Sequence, residues 1–286
     1  MPADFVSAVL LILLKSAETV ERLGPYLAAG IAAAWLSSKL VTKWPACSSC
    51  PSFPGATLLA ALMGTLSPFP TVGIIPFILR LQNRRLAGDA ALAFILASSL
   101  MNPQLFVLTL GAFGLTFSLV QLGAVLSLSV SLGKLFGSSV GIRGGKVPPQ
   151  CCEPPSVSRL IQHIGLYFLL GVIAGSALQV LLPWTGVLNW LAKHGLLHIP
   201  VLGWIGAPFY VCGGSSIPLA RSLFDLGFSQ GALFTFLLVG PSLRGTALAN
   251  LACFLPGRAM TACLAILVVM GGLLGWGFDF ATEALR

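Results

Sequence analysis

Ser67-Pro68-Phe69-Pro70-Thr71-Val72-Gly73-Ile74-Ile75-Pro76 and Pro208-Phe209-Tyr210-Val211-Cys212-Gly213-Gly214-Ser215-Ser216-Ile217-Pro218 are two stretches punctuated by proline and glycine. They are set inside long apolar runs, about 140 residues apart. Each leads into a short polar connection, a helix pattern rich in small residues, and a further Pro/Gly break. At membrane depth such punctuation frees backbone groups that lipid cannot satisfy, so it persists only where the backbone is buried in protein or lines a wet cavity. Paired interruptions at corresponding places in two halves of a chain point to a solute site at mid-membrane.

The surrounding composition fits that setting. Of 286 residues, 56% are hydrophobic and 8% charged, against about 25% charged in soluble domains. Apolar segments long enough to span, each of about 20 residues, fall near 23–38, 55–79, 88–117, 118–138, 160–182, 198–220, 229–254 and 257–278. The chain therefore reads as an all-α, polytopic membrane protein of about eight spans, with broken or re-entrant helices. Phe5 to Leu14 is a short apolar run followed, not preceded, by Lys15. That is the wrong order for a secretory signal. Residues 1–22 are expected to form an uncleaved interfacial helix, with Lys15, Glu18, Glu21 and Arg22 on a solvated stretch.

The net charge of +8 is scattered over loops, which gives no footprint for nucleic acid. Arg80, Arg84 and Arg85 form the densest cluster and mark a cytoplasmic loop. The matching loop, Arg221 to Ser229, has one Arg and Asp225. That asymmetry suits two repeats of opposite orientation. Residues 139–157 hold Gly-Gly, Pro-Pro and Cys-Cys pairs and read as a linker. It divides a first repeat (23–138) from a second (158–286). Tyr26 and Gly30 align with Tyr167 and Gly171 at an offset of 141, and Pro76 and Phe94 with Pro218 and Phe236 at 142. Cys47-Ser48-Ser49-Cys50 and Cys151-Cys152 lie in loops, either without a chemical role or as thiol pairs for a soft metal. His163, His194 and His198 lack metal-ligand spacing and suit the membrane interface. No resident metal or other cofactor is expected.

Laid out in order, these breaks resemble the predicted permeases that include the bacterial methylarsenite efflux permeases. Members carry a Pro-Leu-Cys-Ser-Cys-Gly-x-x-Pro segment, a Gly-Ala-Ala-Leu-Ala-Phe helix and a Pro-x-Leu-Asn-Pro break. A Tyr-Val-Cys-Gly-Gly-like segment, a Gly-Ala-Leu-x-Phe helix and a Gly-Pro-x-x-Asn break follow in the second half. The corresponding stretches here are Pro68 to Pro76, Gly88 to Phe94, Leu100-Met101-Asn102-Pro103, Tyr210 to Pro218, Gly231 to Phe236, and Gly240-Pro241. The resemblance runs from about Gly24 to Phe280 and implies a multi-pass permease of a bacterial plasma membrane, with efflux of a small thiophilic compound. Departures are specific. Pro70 and Val72 replace the two first-half cysteines, Ser99 replaces a Pro, and Arg244 replaces an Asn. A soft cargo prefers thiolates, and within the two segments the chain keeps Cys212.

The candidate substrate-binding residues are Pro70, Thr71, Val72, Gly73 and Pro76 on one wall and Cys212, Gly213, Gly214, Ser215, Ser216 and Pro218 on the other. Asn102 and Arg244 stand at the later breaks. The Gly213–Ser216 run is either an unwound, cavity-lining segment or a tight helix contact. Asn102 either binds substrate or caps a broken helix. An Arg deep in a span costs at least about 2.5–3.5 kcal/mol on insertion scales. Arg244 therefore either faces a cavity and draws an anion or snorkels to the interface. No mid-span carboxylate offers a proton relay, and no phosphate-binding loop is present. The leading expectation is a secondary permease with alternating access, acting on a small molecule within the lipid bilayer, with homo-oligomerisation left open. A channel using the same breaks is the alternative. A thiol enzyme lacks a His beside Cys212, and an assembly partner would show no flux alone.

Overall fold

The computed structural model describes residues 2–43, 55–67, 88–140, 157–181 and 213–284. Among these, all regular structure is helical. The helices are α1 (Pro2–Lys43), α2 (Ala56–Leu66), α3 (Gly88–Leu100), α4 (Pro103–Phe113) and α5 (Leu115–Phe136), the last closed by a 3-10 turn at Gly137–Ser139. They continue as α6 (Val157–Leu181), α7 (Gly213–Asp225), α8 (Gln230–Leu243), α9 (Gly245–Phe254) and α10 (Gly257–Ala284).

Two helices sit at the centre. Residues 90–101 of α3 and its C-terminal flank are all buried, as are residues 231–242 of α8. Both are apolar around their whole circumference, the pattern of a helix enclosed by others. α3 packs against α2 and α5, α8 packs against α10, and α3 and α8 touch each other. α1 lies along α4 and α6, and α7 packs on α6 and α4. Phe117 of α5, Phe234 of α8 and Phe278 of α10 meet with ring centroids 5.2–5.5 Å apart. This aromatic triad joins the two halves.

The burial pattern is that of a protein in lipid. On α5, Leu115, Leu119, Val120 and Leu135 face outward, while Ser118, Gln121 and Ser129 are fully buried. α6 and α10 likewise present Leu166, Leu169, Ile173, Leu273, Trp276 and Phe280 to the outside. Water would favour the reverse arrangement. The chain is an all-α polytopic membrane protein.

Several expected boundaries move. α1 runs unbroken through Arg22 for 42 residues, about 63 Å at 1.5 Å per residue. No separate helix 1–22 is set off within it. The expected segment 88–117 is two helices, and α5 begins at Leu115 because Gly114, at φ +89°, ends α4 in a left-handed conformation. Leu115–Ser139 and Gly257–Thr282 are each long and apolar enough to cross a membrane. The bent pairs α3/α4 and α8/α9 raise the number to four among the described residues, where about eight were expected. Expected spans 55–79 and 198–220 run in part through residues outside the described ones.

The halves share a contact. A Cβ placed on Gly133 of α5 would lie 2.7 Å from Asp89 O and 2.9 Å from Ala93 Cβ of α3. Gly275 of α10 stands 142 residues later, and its Cβ would meet Thr235 Oγ1 and Gly231 O of α8, themselves 142 residues beyond Ala93 and Asp89. Small residues let helix backbones approach closely in membranes. Here the same approach occurs twice.

Candidate functional site

Two helix breaks follow these two crossings. α3 and α4 bend by 44°, and α8 and the helix after it by 55°. The first break is made locally. Pro103 disfavours helical backbone at the residue before it, and Asn102 is extended at φ −139°, ψ 166°. Its Oδ1 accepts the Leu105 N–H at 2.8 Å, and Pro103 fits the first helical position, where no donor is needed. Asn102 thus resolves to the capping role, with its acceptor spent on α4.

The second break differs. Pro241 was expected to interrupt its helix but lies inside α8, which continues to Leu243. Proline removes one backbone hydrogen bond, and the hydroxyl of the next residue, Ser242, donates to Val239 O at 2.6 Å. The chain breaks at Arg244, at φ −64°, ψ 137°, and the N-terminus of α9 has no side-chain cap. Arg244 is half-buried, and its buried Nε meets no hydrogen-bond acceptor. Three carboxylates of the chain are engaged elsewhere: Asp225 sits 3.3 Å from Arg221, Asp89 accepts from Thr57 Oγ1 at 2.8 Å, and Asp279 accepts from Gly231 N at 2.6 Å.

Of the other candidates, Pro70, Thr71, Val72, Gly73, Pro76 and Cys212 lie outside the described residues. Gly213, Gly214 and Ser215 are the first turn of α7, and Pro218 lies inside that helix. An unwound, cavity-lining segment was one of the two expectations here. The backbone is helical from Gly213 onward, so any unwinding has to precede it. Ser216 is fully buried and has a partner. Further unpartnered polar atoms occur in the interior at both side-chain ends of Gln121 and at Ser129 Oγ, both on α5. Among the described residues, no three His, Cys, Asp or Glu side chains converge on one point.

Sequence reading missed a chain of polar ties, two of which join the halves. Lys15 Nζ donates to Gln179 Oε1 at 3.0 Å, and Gln179 Nε2 to Ser222 O at 3.2 Å. Arg221 Nη1 donates to Ala112 O, near the end of α4, at 2.7 Å. The charged face of α1 was visible, but its partners lie more than 100 residues away.

Comparison with known proteins agrees with this architecture. A putative two-component membrane permease complex subunit of Streptococcus mutans is 24% identical over 206 residues, covering 65% of this chain and 67% of that protein. UPF0718 protein YcgR of Bacillus subtilis is 26% identical over 206 residues, covering 65% of this chain and 68% of its own. No solved structure matches. The profile of a family described as predicted permease matches residues 155–279, the stretch that holds α7, the second break and α10.

Proposed function

We propose that the chain is a secondary permease that binds a small anionic solute at the paired helix breaks and exposes it to either side by rocking one half against the other. One observation carries the reading. Arg244 stands at a helix break with a buried, unpartnered Nε, immediately before an uncapped helix N-terminus. Unused N–H groups and the positive end of the helix dipole favour an anion there, and a guanidinium adds charge-assisted hydrogen bonds. The unpartnered polar atoms of Gln121 and Ser129 suit a solute path through an otherwise apolar interior. Nothing in the reading calls for covalent chemistry, so the chain is a transporter rather than an enzyme, in a bacterial plasma membrane. Inverted orientation of the repeats and export as the direction belong to the same proposal.

The test is flux into vesicles reconstituted with the purified chain, across small oxyanions, organic acids and methylarsenite. Saturable uptake of an anion, lost in Arg244→Ala, is expected. Full transport by Arg244→Ala would remove the anionic reading. Methylarsenite flux lost in Cys212→Ser would return the protein to a thiophilic cargo, and non-saturable leakage would favour a channel. The description of the S. mutans relative as a complex subunit supports a second reading, in which this chain works with another membrane subunit. No flux alone, restored by a co-purifying protein, is its signature.

A further inference from the structure

Away from both breaks, α1, α4, α6 and α7 enclose a cleft of about 420 Å³, within the range of about 300–1,000 Å³ typical of small-ligand sites. Ala112 in its wall lies ten residues beyond Asn102, about 15 Å along α4. Leu23 and Ala112 are buried at its floor, and Lys15, Glu18 and Arg22 are exposed at its rim.

The charges in this cleft do not balance. Lys15, Arg22 and Arg221 face Glu18 and Asp225. Glu18 is taken by Arg22 at 2.7 Å and Asp225 by Arg221 at 3.3 Å. That leaves Lys15, whose partner among the described residues is a neutral amide oxygen of Gln179. Arg221 is also held in place. Its Nη1 is fixed on Ala112 O and its guanidinium lies 5.1 Å from the Phe224 ring centroid. Oriented donors that need no rearrangement favour binding, because the cost of ordering them is already met by the fold. A planar guanidinium held in place and an ammonium lining the same cleft match the oxygens of a carboxylate or phosphate.

We propose that this cleft is a second binding site, one that takes an oxyanion group between Lys15 and Arg221. The oxyanion belongs either to a soluble anion or to a lipid headgroup, since basic pockets between membrane helices hold lipid phosphates. The site is formed jointly by α1 and α4 of the first half and α6 and α7 of the second, so its occupant fastens the halves together.

The test uses the full chain in nanodiscs of phosphatidylcholine alone, titrated with inorganic phosphate by calorimetry. In parallel, thermal unfolding is measured in discs with and without phosphatidylglycerol. Lys15→Gln changes an exposed side chain, and Arg258→Gln removes an exposed positive charge elsewhere. Saturable phosphate binding, weakened about tenfold by Lys15→Gln and unchanged in Arg258→Gln, supports a soluble anion. No phosphate binding, but a phosphatidylglycerol-dependent rise in unfolding temperature that Lys15→Gln removes and Arg258→Gln keeps, supports a lipid headgroup. Neither response, or equal losses in the two variants, overturns the site. Arg244→Ala should keep the response at this cleft, so failure of the transport reading and failure of this one are separable.

Discussion

The crossing of α3 with α5 and the crossing of α8 with α10 are the same backbone arrangement with different polar chemistry. Gly133 and Gly275 each admit a neighbouring helix at a distance no side chain would permit. In the first half Ala93 fills the contact. In the second Thr235 does, its hydroxyl 3.0 Å from Gly231 O and 3.3 Å from Gly271 O. The carboxylate at the helix start also changes owner. Asp89 belongs to α3 itself and accepts from Thr57 of α2, whereas Asp279 reaches across from α10 to the Gly231 N–H of α8. At the following break, Asn102 caps its helix and Arg244 leaves its helix uncapped. The packing recurs where small residues stand at the same spacing, while the polar groups differ, and the second break presents an open, cationic helix end.

The largest test of this equivalence is steric. Gly275→Val would drive a branched side chain into Thr235 and the Gly231 carbonyl. A loss of about 3 kcal/mol or more, the upper range for overpacking, should appear as a collapse of the unfolding midpoint in detergent. Gly133→Val should act alike but less severely, and a harmless Gly133→Val would break the comparison. Next, Asp279→Ala should cost about 2 kcal/mol, as a charged acceptor at a helix N-terminus is lost. Asp89→Ala should cost about half that, because its described partner is a neutral hydroxyl. Equal losses in chemical unfolding would mean that the exchange of the acid between helices has no consequence.

Smaller effects are expected at the breaks. Asn102→Ala should lower stability by about 1 kcal/mol and Asn102→Ser by much less, the signature of a cap. If both reduce solute binding without touching stability, Asn102 contacts substrate after all. Arg244→Asn makes the second break resemble the first. It should raise stability by about 0.5–1 kcal/mol through a new cap while abolishing anion transport, a trade-off expected where a functional site is left unsatisfied. A variant with both higher stability and intact flux would remove Arg244 from the site.

What was legible in advance follows from the range of each interaction. The Asn102-Pro103 break could be read directly, since a proline constrains the residue before it whatever surrounds it. The Gly240-Pro241 break was placed too early. Pro241 is buried within α8, which runs on to Leu243, so packing carries the helix past the proline. Gly213 to Ser216 looked too glycine-rich for helix, yet tertiary packing outweighs a penalty of about 1 kcal/mol per glycine.

By itself, the sequence determined that this protein lives in a membrane, that it is helical, and that its breaks recur after about 142 residues. Those properties rest on composition and on backbone constraints that act within a few residues. The tertiary structure decided which polar residue caps and which stays open, because that depends on whether a partner arrives from another helix. Arg244 reads like any intramembrane arginine until Asp89, Asp225 and Asp279 are seen engaged elsewhere. Lys15, Gln179 and Arg221 become one cleft only when α1, α6 and α7 pack together, since coupling across more than 100 residues of chain leaves no local trace.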